Sequence, residues 1–239
     1  MKLSGVFTPA PTPFDAEGRL DTVRLRAAFA GWVASPLAGF VVLGSNGEAV
    51  LLDEVEADLV VATARESIPA GRPFIVGTGR ESTQASVRAA KRAAELGADA
   101  VLVRTPGFFK PQMTEDAFVR HYTAVADASP VPVLLYNFTA MTGVNLPVAA
   151  VTRLAAHPNV IGMKESGGDV AQISDLVAGT PKGFHVLAGS AATLPRTHSR
   201  TSGAERNCAR SGAPTSSRAG TGAASNSQAR CFAAWALHI

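Results

Sequence analysis

The chain has 239 residues, 46% of them hydrophobic, so it is long enough to bury the core of one large domain or two small ones. No apolar run approaches the roughly 20 residues that a membrane span requires, and the first residues lack the apolar core of a secretory signal. We therefore expect a soluble, cytoplasmic protein with no membrane partner.

The formal charge of +3 is distributed unevenly along the chain. Residues 195–239 hold six arginines and one acid, which leaves 16 of the 22 basic and 18 of the 19 acidic residues in residues 1–194. This mildly acidic body argues against a nucleic-acid partner, although the basic tail keeps such a partner as a distant alternative. Both cysteines, Cys208 and Cys231, lie in the tail, and no cluster of histidines and carboxylates has metal-ligand spacing, so we expect no metal.

Between residues 5 and 190, short apolar runs alternate with longer amphipathic stretches. Each run is typical of a strand that is buried on both faces of a parallel sheet. The runs are 5–7, 40–43, 74–76, 100–103, 131–136, 160–163 and 185–188. Among the stretches between them, helices are predicted from a cap at Ser82 to a stop at Gly97 and over 114–128, 147–156 and 170–177.

Seven β units with intervening helices predict an α/β fold, and their spacing fits both a closed (β/α)8 TIM barrel and an open doubly wound sheet. Polar side chains follow the carboxyl ends of different strands, and in a barrel these ends converge on one mouth, which favours the barrel. These residues are Thr8, Ser45, Thr105, Tyr136, Lys164 and Ser190.

The composition changes after Leu194. Residues 195–239 contain no valine, and small residues and arginine dominate where an eighth β unit is due. Such a segment buries too little apolar surface to offset its ordering entropy. We therefore expect an incomplete barrel over 1–194, lacking the eighth strand and the C-terminal helices, and a disordered basic tail over 195–239. A reading-frame shift near Leu194 would produce this tail, and an intact frame on resequencing of the coding DNA would contradict that hypothesis.

Three places in the body carry candidate chemistry. Lys164 ends an apolar run, so it is solvated, paired with a carboxylate such as Glu165, or a buried amine that attacks a keto carbon. Residues 44–48 carry Ser45 and Asn46 between two glycines, an arrangement that suits a carboxylate and equally an ordinary turn. Tyr136 is either a proton shuttle at the mouth or a core tyrosine.

The two histidines of the middle of the chain carry no catalytic prediction. His121 is expected on a helix surface and His157 in a loop.

These elements together resemble the pyruvate-dependent class I aldolases and lyases of the dihydrodipicolinate synthase and N-acetylneuraminate lyase superfamily. The matching segments, in order over residues 1 to 194, are 8–9, 13–14, 44–48, 105–106, 136–137, 142–143, 162–166 and 188–190. Within the superfamily, Ser45-Asn46 and residues 166–170 are most similar to the 4-hydroxy-2-oxoglutarate aldolases.

The resemblance implies that Lys164 forms an imine with a keto acid such as 4-hydroxy-2-oxoglutarate, which is cleaved to pyruvate and an aldehyde without a cofactor. It implies that Tyr136 moves the proton of the leaving hydroxyl, that Ser45 relays it, and that Ser45, Asn46 and Ser166 hold the carboxylate. Condensation of pyruvate with an aldehyde, of the dihydrodipicolinate synthase type, and an inactive truncated barrel that retains keto-acid binding stay open as alternatives. Members of the superfamily are commonly tetrameric, so the resemblance also implies a homo-oligomer.

The sequence departs from the family pattern in two places near the site. Where members commonly carry a relay tyrosine after Thr105-Pro106, this chain has residues 107–109, Gly-Phe-Phe, with no hydroxyl. Where dihydrodipicolinate synthases carry proline and then arginine after Tyr-Asn, it has Thr139 and Met141, which disfavours the synthase reaction.

Overall fold

Residues 1 and 3–190 are described by the computed structural model, and the expected eighth β unit and the tail over 195–239 lie outside them. The strands are β1 (Phe7–Pro9), β2 (Gly39–Val42), β3 (Phe74–Gly77), β4 (Ala100–Arg104), β5 (Val133–Asn137), β6 (Val160–Glu165) and β7 (His185–Ala188). The helices are α1 (Thr22–Val33), α2 (Glu54–Ser67), α3 (Thr83–Glu95), α4 (Glu115–Ala128), α5 (Thr139–Thr142), α6 (Val148–Leu154) and α7 (Val170–Gly179). All seven predicted strands are present.

The seven strands form one parallel sheet in the order β1-β2-β3-β4-β5-β6-β7. An open doubly wound sheet reverses its strand order at a switch point, and this sheet has no reversal. Strands added in one direction with a helix after each build a barrel wall. The predicted barrel is therefore confirmed, and in the described part of the chain it is incomplete, with β1 and β7 as its two edges.

The strand side chains alternate between two apolar layers, as the period of two requires. One layer fills the concave interior of the barrel, and the other packs between the sheet and the helices. The interior layer includes Phe7, Val41, Ile75, Leu102, Leu134, Tyr136 and Leu187. The outer layer includes Phe40, Val42, Phe74, Val76, Val101, Val103, Val133, Leu135, Met163 and Val186.

The helices begin at polar caps that the sequence shows. Ser82 Oγ accepts a hydrogen bond of 3.3 Å from the backbone N–H of Ala85, and Thr114 Oγ1 accepts one of 3.2 Å from that of Ala117. Each cap satisfies an N–H group that the first helical turn leaves without a partner. None of the helices in the described residues combines the length and the apolar character that a membrane crossing needs.

Two glycines, Gly39 and Gly31, differ in how tightly their surroundings are packed, which allows the packing of the sheet to be tested. A Cβ at Gly39 in β2 would lie 2.5 Å from the Phe7 ring and 2.7 Å from the Pro73 carbonyl oxygen, whereas one at Gly31 in α1 would meet nothing within 4 Å. We expect Gly39→Ala to lower the free energy of unfolding by about 1–3 kcal/mol, because of overpacking. Gly31→Ala, the control, should raise it by about 0.5–1 kcal/mol. Urea denaturation measures both, and equal effects would contradict the packing argument.

Candidate active site

Lys164 lies on the inner face of β6 near the carboxyl end of that strand. Its side chain is 9% exposed and borders a void of about 20 Å³ whose other walls are apolar, among them Leu134 and Leu187. Burial lowers the pKa of the Lys164 amine to about 8, because an ammonium ion loses its hydration there. A much larger fraction of this amine is therefore neutral at pH 7 than of an exposed lysine.

Pairing with Glu165 does not account for Lys164. The two residues are neighbours on one strand, so their side chains leave opposite faces of the sheet. Glu165 Oε2 accepts hydrogen bonds of 2.8 Å from Asn137 Nδ2 and 2.9 Å from Gln172 Nε2, and Oε1 accepts one from the backbone N–H of Gly167. Burial raises the pKa of Glu165, and these three donors oppose the shift.

Tyr136 stands directly beside the lysine. The two are partners in the register of β5 and β6, and Lys164 Nζ lies 4.5 Å from the centre of the Tyr136 ring. The phenol oxygen is 3.1 Å from Ser45 Oγ. Burial raises the pKa of Tyr136, while Ser45 and Ser166 lower it in part, so the phenol carries its proton at neutral pH. The predicted grouping of Lys164, Tyr136 and Ser45 is thus present in the structure.

The turn that carries Ser45 is held in a strained conformation. It is a single 3-10 turn over Ser45–Gly47, and its flanking residues Leu43 (φ 55°) and Glu48 (φ 53°) are the non-glycine residues with positive φ in the described chain. Each left-handed residue costs about 1–2 kcal/mol. A Cβ at Gly77 would lie 1.8 Å from the Leu43 carbonyl oxygen, so β3 approaches the turn closely. This turn carries Ser45, whose Oγ is the neighbour of the phenol oxygen, and strained segments are common at functional sites.

Ser166 follows β6 and faces the same phenol. It is 8% exposed, and no hydrogen bond of normal geometry reaches its Oγ within the described residues, although this oxygen is near enough to the Tyr136 phenol to lower the pKa of that group. A Cβ at Gly189 would lie 1.9 Å from this oxygen, so only glycine after β7 leaves room for it. A buried hydroxyl without a full partner is available to a ligand.

A cavity of about 580 Å³ opens at this mouth. Tyr136 and Ser45 form part of its wall, and the charged residues that line it are Arg104, Lys110 and Glu81. Gly107 also lines it, and a Cβ there would lie 2.7 Å from the Thr142 carbonyl oxygen. A side chain at position 107 would therefore clash with Thr142 unless the backbone shifted.

Some residues that the sequence placed at the mouth lie elsewhere. Thr8 and Thr105 alternate with inward-facing residues, so they point to the outer face, and Thr105 donates a 3.2 Å hydrogen bond to Thr142. The expectation that the side chains of these two meet the others at the barrel mouth is therefore wrong. Asn46 is exposed on the turn beside Ser45 and is not one of the described residues that line the cavity. No group of three His, Cys, Asp or Glu side chains within 1 and 3–190 is placed to hold a metal ion.

The expectation for His121 is also wrong. It is 7% exposed, buried between α3 and α4, and its Nδ1 is 2.9 Å from Thr83 Oγ1. Burial lowers the pKa of His121 to about 4, so the ring is neutral. Its spacing from Phe118 and Val125 places it on the buried face of α4, a pattern that the polar residue type conceals.

The buried amine has a measurable effect on stability. Since the pKa of Lys164 falls from 10.5 in the unfolded chain to about 8, its burial destabilises the folded state below pH 8, and the cost disappears as the pH rises from 8 to 10.5. At pH 7 we expect Lys164→Met to raise the free energy of unfolding by up to about 3 kcal/mol. Denaturation of both proteins from pH 7 to 10.5 measures this, and a difference that does not change with pH would contradict a lowered pKa.

Comparison with known proteins agrees with this geometry. The family described as the dihydrodipicolinate synthetase family matches residues 2–205. A 4-hydroxy-tetrahydrodipicolinate synthase of Stenotrophomonas maltophilia is 39% identical over 196 residues, which cover 82% of this chain and 65% of the relative. A protein of Emericella nidulans named "Probable 4-hydroxy-2-oxoglutarate aldolase, mitochondrial" is 38% identical over 191 residues, 78% of this chain and 62% of the relative.

Solved structures show the same likeness. The crystal structure of the chloride-inhibited dihydrodipicolinate synthase from Acinetobacter baumannii, complexed with pyruvate, superimposes with a TM-score of 0.73 at 32% identity. The match covers 77% of this chain and 63% of that one. This chain thus spans slightly less than two thirds of the length of the relatives it matches. The family match over residues 2–205 and the likeness of the fold agree, and the chain belongs to the dihydrodipicolinate synthetase family.

Proposed function

We propose that this chain is a lyase in which Lys164 forms an imine with a 2-keto acid, and that its substrate is 4-hydroxy-2-oxoglutarate, cleaved to pyruvate and glyoxylate. The observation that carries the proposal is the buried Lys164 amine, 4.5 Å from the ring of Tyr136. The named relatives support it, because one is named a 4-hydroxy-2-oxoglutarate aldolase and a solved neighbour was crystallised with pyruvate.

The reaction begins at the amine. Neutral Lys164 attacks the keto carbon C2, and the resulting carbinolamine loses its hydroxyl as water to give the imine. Tyr136 supplies the proton for that water, which a neutral phenol in contact with the site is able to do. The protonated imine nitrogen then withdraws electrons from the C3–C4 bond, so no cofactor is needed as an electron acceptor.

Cleavage follows as a transfer of one proton and one electron pair. The Tyr136 phenolate takes the proton of the C4 hydroxyl, the C3–C4 bond breaks, and glyoxylate leaves. The bonding pair remains on C3 as an enamine, which takes the proton back from Tyr136 directly or through Ser45, 3.1 Å away. Water then hydrolyses the imine, releasing pyruvate and restoring Lys164. A phenol with a raised pKa suits this cycle, since its phenolate is a strong base.

The keto-acid carboxylate is assigned to the hydroxyls around the phenol. Ser45 and Ser166 flank Tyr136 from two different loops, and Ser166 is buried with hydrogen-bonding capacity to spare. Asn46 lies on the same turn as Ser45 and is the third candidate.

Assembly into a homo-oligomer and a cytoplasmic location stay predictions.

A second candidate is the condensation of pyruvate with an aldehyde. The 39% identity to a 4-hydroxy-tetrahydrodipicolinate synthase favours it, since the first half of that reaction also needs a lysine imine. Met141 lines the mouth as an exposed apolar side chain where synthases carry a cation, which is why cleavage is the first choice.

Trapping tests the imine. Incubation of the full chain with pyruvate and borohydride should give a reduced adduct on Lys164, found by peptide mass spectrometry. The trapping rate should rise with pH around a midpoint of about 8, because only the neutral amine attacks. Lys164→Arg is the matched control and should give none. Folded protein without an adduct would contradict imine formation and leave a barrel that at most binds keto acids. An adduct on Lys110 would assign the reactive amine to Lys110 in place of Lys164.

Tyr136 is tested against the other tyrosine of the chain. We expect Tyr136→Phe to slow cleavage of 4-hydroxy-2-oxoglutarate by about 10²–10⁴-fold, because the proton acceptor is lost, while the pyruvate adduct still accumulates on long incubation. Tyr122→Phe removes a buried phenol that donates to the Val103 carbonyl, away from the site, and should change the rate by less than about threefold. Equal effects of the two changes would rule out the assigned role.

A further inference from the structure

Three inward-facing side chains stand in a row across the barrel mouth. Arg104 of β4 is the register partner of Tyr136 of β5, which is in turn the partner of Lys164 of β6. Arg104 follows the interior residue Leu102 by two positions, so alternation places it on the same face. Adjacent strands are about 4.8 Å apart, so the outer two backbone positions of the row are separated by roughly 10 Å.

Lys164 and Arg104, the outer residues of the row, lie on either side of Tyr136. Lys164 Nζ lies over the Tyr136 ring, so the amine leans toward β5 and thus toward Arg104. Arg104 is held at its stem, because a Cβ at Gly79 would lie 2.6 Å from Arg104 Cγ. Its side chain is 21% exposed and lines the same cavity as Tyr136. Arg104 and Tyr136 thus line the cavity, whereas Lys164 borders the neighbouring void of about 20 Å³, with its Nζ 4.5 Å from the centre of the Tyr136 ring.

The guanidinium has donors to spare. Its Nη1 donates to Glu81 Oε1 at 2.7 Å and to the Thr105 carbonyl oxygen at 3.1 Å. Within the described chain, Nε and Nη2 make no hydrogen bond to protein, and these two groups form the planar pair of donors that matches a carboxylate. Arg104 thus combines a fixed position with an open bidentate edge.

Glu81 binds Arg104 at Nη1 and leaves the Nε and Nη2 groups of the guanidinium available to a ligand. Its second oxygen, Oε2, accepts hydrogen bonds of 2.9 Å from the backbone N–H groups of Gly107 and Phe108. These donors anchor the carboxylate on the far side of Arg104. The pairing also ties the loop after β4 to the loop after β3, which is the structural role that the experiment must separate from ligand binding.

We propose that Arg104 binds the distal carboxylate of a five-carbon 2-keto dicarboxylic acid and so selects dicarboxylic over monocarboxylic substrates. The inference rests on the proposed function in that Lys164 is taken to hold C2. In 4-hydroxy-2-oxoglutarate the groups follow in the order keto carbon, C4 hydroxyl and C5 carboxylate, and the row offers Lys164, Tyr136 and Arg104 in the same order. The charge-assisted bidentate pair supplies affinity that a terminal methyl group does not obtain.

Lys110 is the other cation of the cavity wall and serves as a matched control. It lies on the single 3-10 turn Lys110–Gln112, outside the row, and its side chain packs beside Gly143. If net positive charge in the cavity were enough for selection, removal of Lys110 would have the same effect as removal of Arg104.

The experiment compares two ligands that differ only at the distal group, 2-oxoglutarate and 2-oxopentanoate, by isothermal titration of the full chain. The wild-type chain should bind 2-oxoglutarate about 10- to 100-fold more tightly, as one charge-assisted interaction allows. In Arg104→Met the preference should fall below about threefold, and in Arg104→Lys it should be intermediate, because the charge is kept and the bidentate edge is lost. Lys110→Met should keep the full preference. Circular dichroism confirms that each variant is folded.

Glu81→Gln separates selection from loop anchoring. If the Arg104–Glu81 pair only anchors the loops, Arg104→Met and Glu81→Gln weaken both ligands equally, and the proposal is overturned. It is also overturned if the wild-type chain shows no preference or if Arg104→Met retains it. Borohydride trapping with pyruvate is a separate readout. If Arg104→Met loses the ligand preference but the wild-type chain gives no adduct on Lys164, the lyase is rejected and the carboxylate site remains. If the wild-type chain gives the adduct but Arg104→Met keeps the preference, the carboxylate site alone is rejected.

Discussion

The unfavourable burial of one amine is the constraint on which the site depends. Lys164 is surrounded by the apolar interior of the barrel, and the fall of its pKa to about 8 corresponds to roughly 3 kcal/mol of cost at neutral pH. A protein of this size is stable by only about 5–15 kcal/mol, so this cost is a large fraction of the total. The interior layer of β1 to β7 has to compensate for it, because the same burial that carries the cost also raises the neutral fraction of the amine.

The two faces of β6 show how differently the chain treats neighbouring charges. Lys164 faces an apolar interior in which burial alone accounts for the shift of its pKa. Glu165, the next residue, faces Asn137 and Gln172, and Asn145 connects these two amides by hydrogen bonds of 2.7 and 2.8 Å. The carboxylate is thus satisfied by neutral donors and does not quench the amine. This network also fixes the end of the strand, and with it the direction in which Lys164 points.

Much of this arrangement can be predicted from the sequence, because buried parallel strands are continuous apolar runs. The seven runs, the cap at Ser82 and the convergence of Lys164 with Tyr136 are all found in the structure. The errors for two threonines have one origin. Thr8 and Thr105 were assigned to the mouth because they follow or end a strand, whereas the face of a strand residue depends on register, which an unbroken apolar run does not reveal.

Two further features depend on contacts between distant segments and have no local signal. Leu43 has a positive φ, and its carbonyl lies against Gly77 of β3, 34 positions along the chain. His121 is buried because α3 packs on α4. Its spacing from Phe118 and Tyr122 indicates burial only if a polar residue is allowed on the apolar face of the helix. Packing between elements decided both conformations, so residue type alone was a poor guide.

Arg104 illustrates what alternation adds once register is known. Like Lys164, it is a cation near the end of an apolar run, and the pattern of apolar runs alone does not distinguish the two. The structure separates them by their surroundings: Lys164 has apolar walls, which lower the pKa of its amine to about 8, whereas Arg104 donates hydrogen bonds to Glu81 and to the Thr105 carbonyl. A neutral amine performs covalent chemistry and a permanent cation holds an anionic group. One sheet thus carries Lys164 and Arg104 on the same face, two strands apart, with Tyr136, to which we assign the proton transfer, between them.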